Sequence, residues 1–233
     1  MKRIGIVIAM QAEARCLARQ HFQLHQPIVI REKLMVTLCG MGAQAARRAA
    51  AELADQHGVV ALISFGVAGA LNARLHSGDL VVPASVIADQ IYPADSRLRA
   101  TFLHHLSGEM NVIEGVLAAS QRVLTSEQEK LALATKTGAC AVDMESGAIA
   151  MVAEDKNIPF IAVRAITDPV QYSPPAVLLS ALHADGGVKP LSLLALLIRR
   201  QVYLAELLRL GRGMRAASVT LKTASRRIEA LLD

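Results

Sequence analysis

The sequence predicts an α/β fold with three layers, α/β/α, around a central mixed, largely parallel sheet, followed by a C-terminal helical extension. Apolar, strand-like runs alternate with helix-like segments as far as Asp168, which is typical of a sheet covered by helices on both faces. The run at residues 160–166 is apolar almost throughout, as expected for a strand buried on both faces. After residue 175 the strand-like runs stop, and helix-like patterns follow at residues 176–183 and 191–232.

The first third of the chain supplies the first strands of the predicted sheet. A buried-strand pattern at residues 4–10 leads into a helix at residues 11–20, and residues 28–39 alternate as a hairpin or a bent strand does. Gly40-Met41-Gly42 then precedes an alanine-rich helix at residues 43–56. Two glycines before a helix suit the close approach of an anion or a sugar, or form only a tight turn.

The middle of the chain continues the alternation. We predict a strand at residues 59–65, a turn out of it at Gly66-Val67-Ala68-Gly69, a strand at 78–83, a turn at 92–95 with a helix up to His105, and a strand at 115–119. After a loop at 120–125, Ser126 and Glu129 have capping-box spacing at the start of a helix that ends at Lys136.

A βαβ unit and a helical tail complete the predicted fold. The unit comprises a strand at residues 139–142, a helix of small apolar residues around 148–153 and the strand at 160–166. In the tail, Gly186-Gly187 separates two helices, and Gly211 and Gly213 are predicted breaks in the second.

Composition restricts the class of protein. The 233 residues are 53% hydrophobic, enough for one sizeable core. Aromatic residues make up only 3%, which argues against a nucleic-acid partner because base stacking needs aromatic side chains. Cys16, Cys39 and Cys140 are far apart, so we expect no disulfides and a reducing, cytoplasmic setting. His104 and His105 have no third ligand at metal spacing, so no metal site is expected.

Two carboxylates are candidates for chemistry by their position. Glu145 and Asp168 each follow the end of a predicted strand, which is where open α/β sheets bind their ligands. A third carboxylate, Glu13, is in the first turn of the helix predicted at residues 11–20. Each has a plain alternative. Glu13 can be a solvated residue favoured by the helix dipole, Glu145 a surface carboxylate in a first helical turn, and Asp168 an N-cap before Pro169.

Taken together, these segments resemble the nucleoside phosphorylase/nucleosidase superfamily, and most closely its methylthioadenosine/adenosylhomocysteine nucleosidase-like branch, over roughly residues 1–170. The matching segments are Ile4-Gly5-Ile6 through Ala9-Met10 to Glu13, Gly40-Met41-Gly42, Phe65-Gly66-Val67-Ala68-Gly69, Ser77-Gly78-Asp79, Val142-Asp143-Met144-Glu145 and Val163-Arg164-Ala165-Ile166-Thr167-Asp168. The variant Asp-Met-Glu-Ser and the long basic tail are similar to the hopanoid-associated phosphorylase group, which is linked to the removal of adenine from adenosylhopane.

The resemblance implies a role for each candidate. Asp168 would protonate or hydrogen-bond N7 of the leaving purine, and Glu13 would orient the attacking water. Glu145, beside Met144, would bind the ribose 2′- and 3′-hydroxyls. These roles suit a C1′–N9 bond that breaks toward a ribosyl cation, because an acid is needed on the base and negative charge around the sugar. The resemblance also implies substrate contacts from Val123, Leu124, Gly66, Val67, Ala68 and Gly42.

Two departures from the family pattern concern the base and the acceptor. Val123 stands where relatives carry an aromatic residue that stacks on adenine, so stacking should be weaker. Val67 stands where relatives have serine, and the arginine with which many phosphorylases hold phosphate is missing nearby. A carboxylate at Glu13 would repel a dianionic phosphate, which favours water. Water and phosphate both stay open as acceptors. We expect no cofactor, and inorganic phosphate is a possible co-substrate.

The tail carries the basic excess of the chain. The net charge is +5, and residues 189–233 contain nine Lys/Arg against three Asp/Glu. We therefore divide the chain into a nucleoside phosphorylase/nucleosidase-like domain at 1–188 and a basic amphipathic helical tail at 189–233. Residues 191–232 could contact the inner face of a membrane, with arginines among anionic headgroups, or pack their leucines on the domain or on the second subunit of a homodimer. The apolar run at 191–198 is too short to span a bilayer.

Overall fold

A computed structural model of the chain describes residues 2–228 and residue 231. The strands are β1 Ile4–Ile8, β2 Ile28–Arg31, β3 Leu34–Leu38, β4 Ala61–Ala70, β5 Leu80–Val81, β6 Ser85–Ile87, β7 Ile91–Pro93, β8 Val112–Ile113, β9 Val116–Ala119, β10 Ala141–Asp143 and β11 Phe160–Asp168. The helices are α1 Gln11–Leu17, α2 Ala43–Asp55, α3 Ser96–Leu106, α4 Glu127–Thr137, α5 Ser146–Asp155, α6 Pro190–Ile198 and α7 Leu204–Ser225, with a 3-10 helix at Ala176–Ala181. The predicted tail also includes residues 229, 230, 232 and 233, which lie outside the described residues.

Strand β4 lies at the centre of the sheet. It pairs in parallel with β1 and β11 and antiparallel with β10. From β1 the sheet continues through β3 to β2, and from β10 through β9 and β6 to β7. A branch from β11 carries β5 and β8. The sheet is therefore mixed and largely parallel, which confirms the predicted class.

Helices cover both faces of the sheet. Successive side chains of a strand point to opposite faces, so Val7 and Leu62 belong to one core while Ile6 and Ile63 belong to the other. The first core is closed by α2 and α5, and the second by α1, α3 and α7. Small residues make this packing close. On α2 the buried positions Ala46, Ala49, Ala50 and Leu53 recur at helical spacing. The three-layer arrangement is thus confirmed.

Two predicted turns belong to strands. Residues 66–69 continue β4, which stays paired with β11 as far as Gly69. The prediction of a turn there was wrong because glycine in this segment provides space for neighbouring side chains rather than a change of chain direction. Residues 91–93 form the edge strand β7 before Asp95 caps α3, where its side chain accepts a hydrogen bond from the Leu98 N–H. The predicted hairpin is confirmed as β2 and β3.

The tail forms two helices rather than one. The chain leaves α6 after Ile198, passes through Arg200 with a left-handed φ of 53°, and enters α7 at Leu204. Gly211 and Gly213 lie inside α7, so the prediction that they break the helix was wrong. A side chain on Gly213 would collide with the backbone carbonyl of Thr167, which means that this glycine lets α7 approach the end of β11 closely.

The second half of α7 packs into the second core, on the face of the sheet that α1 and α3 also cover. Ala217, Leu221 and Ala224 are buried there, and the Ser225 hydroxyl donates to the Cys16 carbonyl at 2.9 Å. The division of the chain at residue 188 stays a prediction. Within the described residues, no helix combines the length and the apolar composition needed to cross a membrane.

Candidate active site

Glu13 is a buried carboxylate held by backbone donors. Its side chain is in the first turn of α1 and is only 2% exposed, so the solvated alternative was wrong. Oε2 accepts hydrogen bonds from the N–H groups of Ala9 (3.0 Å) and Met10 (2.9 Å), and Oε1 accepts one from Val67 (2.9 Å). Burial raises the pKa of Glu13, although the Arg164 charge and the three N–H donors oppose that rise. A carboxylate so fixed can accept a proton without moving.

Arg164 is the cation behind this site. It is 2% exposed, and its Nη2 lies 2.6 Å from Asp143 Oδ2 and donates to the hydroxyls of Ser64 (2.5 Å) and Ser146 (3.0 Å). A side chain on Gly66 would collide with both Arg164 and Glu13, so only glycine fits between strand and site. Sequence reasoning did not assign Arg164 a role, although one charged residue within an apolar strand was an available signal.

Glu145 follows β10 and precedes α5. Its side chain is buried, so the surface alternative was wrong, and Oε1 accepts a hydrogen bond from the Gly42 N–H at 2.7 Å. Burial, together with the nearby Asp143 charge, raises the pKa of Glu145 to about 7. Gly42 has a φ of 101°, which favours glycine at the position that presents this N–H. The Gly-x-Gly turn therefore binds a carboxylate of the protein itself.

Asp168 is the last residue of β11, and no helix begins after it, so the N-cap alternative was wrong. Its Oδ2 lies 2.5 Å from the Nζ atom of Lys130, and the Thr167 hydroxyl donates to its Oδ1 at 2.7 Å. Lys130 is on α4 and only 1% exposed. No local pattern selects Lys130, because its neighbours Glu127, Gln128 and Glu129 are typical of a solvated helix.

The three carboxylates line one cavity of about 600 Å³. Of the other predicted contacts, Val67, Ala68, Val123, Leu124 and Met144 are in its wall. Gly66 and Gly42 lie behind the wall, where they contact Glu13 and Glu145 respectively.

The cavity extends into an apolar region built by the C-terminal part of the chain. Its wall there is formed by Pro174, Pro175, Leu178, Ala181, Leu182, Gly186, Val188, Leu193, Leu207, Leu210, Gly211 and Met214. The charged residues of the wall come from other segments, namely Glu13, Arg122, Lys130, Asp143, Glu145 and Asp168. Among the described residues, no group of three or more His, Cys, Asp and Glu side chains could hold a metal ion.

A three-layer fold that gathers carboxylates from several strand ends around one cavity defines an enzyme of the α/β class. The sequence model of the phosphorylase superfamily matches residues 3–176. The chain belongs to this family and is an enzyme, as the resemblance implied.

Curated relatives are 5′-methylthioadenosine/S-adenosylhomocysteine nucleosidases. That of Maridesulfovibrio salexigens is 29% identical over 199 residues, which cover 72% of this chain and 86% of the relative. That of Mycobacterium tuberculosis is 23% identical over 177 residues, which cover 58% and 69% respectively.

Solved structures share the fold over the full chain. The Helicobacter pylori 5′-methylthioadenosine/S-adenosylhomocysteine nucleosidase, in complex with a substituted pyrrolidin-3-ol, has a TM-score of 0.74 at 17% identity, and the match covers 100% of this chain and 98% of that chain. The corresponding Neisseria meningitidis nucleosidase, in complex with methylthio-immucillin-A, has a TM-score of 0.73 at 16% identity and covers 99% of each chain. Futalosine hydrolase of Helicobacter pylori has a TM-score of 0.70 at 17% identity, with 100% and 97% covered.

Proposed function

We propose that this enzyme is an N-ribosyl hydrolase that releases adenine from a 5′-substituted adenosine. The observation that carries the proposal is the convergence of Glu13, Glu145 and Asp168 on one cavity whose remaining wall is mostly apolar. Cleavage of the C1′–N9 bond needs a proton at N7 of the base and negative charge near the developing ribosyl cation. Asp168 serves the base, Glu145 binds the ribose hydroxyls and Glu13 orients the nucleophile.

Water is the proposed acceptor rather than phosphate. Glu13 is buried, and in its ionised form its carboxylate repels a phosphate dianion. Arg122 in the cavity wall and Arg164 beside Glu13 have other partners: Arg122 pairs with Glu129 at 2.7 Å and Arg164 with Asp143 at 2.6 Å. The raised pKa of Glu13 suits a base that takes a proton from water near neutral pH.

The apolar part of the cavity is the proposed place of the 5′-substituent. Leu182, Leu193, Leu207 and Leu210 can bury a methylthio or longer hydrocarbon group, whereas they offer no charged partner for the amino-acid head of adenosylhomocysteine. The relatives are named for both methylthioadenosine and adenosylhomocysteine, and the apolar wall favours the first of these. The hopanoid group finds no support in these relatives, so adenosylhopane stays a proposal that depends on the sequence resemblance and on this apolar wall.

Adenine release tests the proposed function. Purified enzyme should release adenine from methylthioadenosine, or from adenosylhopane, faster than from unsubstituted adenosine, at a rate that does not depend on phosphate. Asp168→Asn should lower kcat roughly 10²-fold or more, because the base loses its acid. The matched control is Asp95→Asn, which alters only the cap of α3. A rival function, nucleoside binding without chemistry, would be supported by tight binding of these compounds without any adenine release.

We also propose that the enzyme contacts anionic membranes through an apolar-basic surface on α6 and the start of α7. Leu191 is 81% and Ile198 73% exposed, and the surface further includes Leu194, Tyr203, Leu204 and Leu208. The same segment carries exposed arginines at positions 199, 200, 209 and 212. Glu206 is the sole acidic residue between positions 191 and 212, all of which the structure describes. Such a surface matches apolar insertion among anionic headgroups. The second half of α7, one face of which packs into the core, takes no part.

Vesicle co-sedimentation tests this surface. The full chain should bind vesicles that contain phosphatidylglycerol, less at high salt because exposed charges are screened within about 8 Å at physiological ionic strength. The double variant L191E/I198E should lose most binding, while V219E, which alters an exposed apolar residue in the second half of α7, should not. Equal binding by both variants would contradict the proposal. If L191E/I198E instead turns a dimer into a monomer, the surface belongs to the expected homodimer, which also stays a prediction.

A further inference from the structure

Lys130 has an arrangement that the roles given so far do not explain. Lysine is almost never fully buried unless it is paired, and Lys130 is 1% exposed. Its Nζ donates to Asp168 Oδ2 (2.5 Å), to the Pro169 carbonyl (3.0 Å) and to the Tyr172 carbonyl (2.7 Å). These three acceptors match the three protons of an ammonium group. The resting pair is therefore a lysine cation beside an aspartate anion.

This pairing bears on how Asp168 acts as an acid. The Oδ1 atom lies 2.7 Å from the Thr167 hydroxyl and Oδ2 lies 2.5 Å from Lys130, so both carboxylate oxygens accept hydrogen bonds. The aspartate anion has no proton of its own to give to a purine. The proton nearest to it that can be transferred is on the Lys130 ammonium.

We propose that Lys130 supplies, through Asp168, the proton that N7 of the leaving base takes up. As the C1′–N9 bond breaks, its electron pair enters the purine, and Asp168 takes a proton from Lys130 Nζ and passes it to N7. The attacking water forms the new C1′–O bond and gives its proton to Glu13. After the products leave, that proton returns through cavity water to neutral Lys130, so charge and atoms balance. The inference depends on the proposed function, and Lys130 is a positioning residue because it acts through Asp168.

The surroundings define which other groups can affect the pH profile. Lys130 donates to the backbone carbonyl of Tyr172. The guanidinium carbon of Arg209, on α7, lies 4.1 Å from the centre of the Tyr172 ring. Arg122 and Glu129 form an ion pair near the start of α4, and Glu13 and Glu145 are in the wall of the same cavity. The control variants must leave these groups in place.

Arginine and methionine at position 130 separate proton supply from mere charge or packing. Arginine keeps the cation but cannot release a proton in the accessible pH range, and methionine removes both. If Lys130 supplies the proton, K130R and K130M should each lower kcat roughly 10²-fold with little change in KM. In K130M the fall of kcat at alkaline pH should also move to lower pH, because the Asp168 carboxyl must then hold the transferred proton without Lys130. K136M, on the exposed face of the same helix, is the control and should behave as wild type.

The outcomes are distinguishable. If K130R keeps more than about a third of the wild-type kcat, or if K130M keeps the wild-type pH profile, Lys130 only holds the segment after β11 and the inference is wrong. Should K130R fail to fold, as judged by its unfolding midpoint, K130A with added ethylamine replaces it. Ethylamine should restore activity and ethylguanidine should not, and restoration by both would overturn the inference. Wild-type enzyme without adenine release would instead overturn the proposed function and this inference together.

Discussion

Replacing Glu145 with glutamine should change how stability depends on pH. The pKa of this carboxyl is raised from an ordinary 4.5 to about 7 by burial and by the Asp143 charge. The folded chain therefore binds a proton that the unfolded chain releases between these pH values, so the free energy of unfolding falls as pH rises from about 4.5 to about 7. The full difference corresponds to roughly 3 kcal/mol, most of which develops between pH 5 and pH 8.

Glutamine has no proton to lose in this range. Urea unfolding at pH 5 and pH 8 should therefore show E145Q gaining about 2–3 kcal/mol relative to wild type as pH rises. The control is E127Q, which changes an exposed glutamate at the start of α4 and should show no such trend. If E145Q and wild type differ by the same amount at both pH values, Glu145 is not held in the environment described. Adenine release by E145Q should also fall, because the ribose loses its anionic partner.

Three further changes test the geometry of the site and its acceptor. G213A should destabilise the chain by about 1–3 kcal/mol because its methyl group meets the Thr167 carbonyl, whereas G211A, which has open space, should be neutral or stabilising by up to about 1 kcal/mol in thermal unfolding; equal effects would show that α7 does not approach β11. G66A should remove most activity because its methyl group displaces both Glu13 and Arg164, and an active G66A enzyme would contradict this packing. E13Q should lower kcat roughly 10²–10⁴-fold because the attacking water loses its base, and an E13Q enzyme with wild-type kcat would contradict the role of Glu13. Phosphate-stimulated turnover gained in E13Q would agree with exclusion of phosphate by the carboxylate.

Periodicity was sufficient to predict the layers, and strand-end position was sufficient to select two of the three carboxylates. Glu145 and Asp168 each follow a strand, and the rule that ligands bind at the carboxyl ends of parallel strands selected both before any contact was known. Glu13 needed the resemblance, because a carboxylate in a first helical turn is usually solvated. What buries Glu13 is the approach of β4 at Val67, which is 54 residues away in the chain.

The residues that sequence reasoning missed depend on distant contacts. Lys130 is buried by a segment that begins 38 residues later at Asp168, and no local pattern on α4 reports that. Gly213 was interpreted as a helix break because glycine has low helix propensity, whereas its role is set by the Thr167 carbonyl on another element. Gly66 was similarly interpreted as a turn, although it provides space for Arg164. Glycine can mark a close approach of two segments as well as a bend, and sequence alone does not separate the two.

Hydrolysis in ¹⁸O-labelled water tests the central claim most directly. Methylthioadenosine and adenosylhopane are each incubated with wild-type enzyme in phosphate-free and phosphate-containing buffer, and the products are analysed by mass spectrometry. The account predicts free adenine in step with a ribosyl product that carries one ¹⁸O atom at C1′, at the same rate in both buffers. No adenine from either compound, or a ribose 1-phosphate without the label, would contradict it.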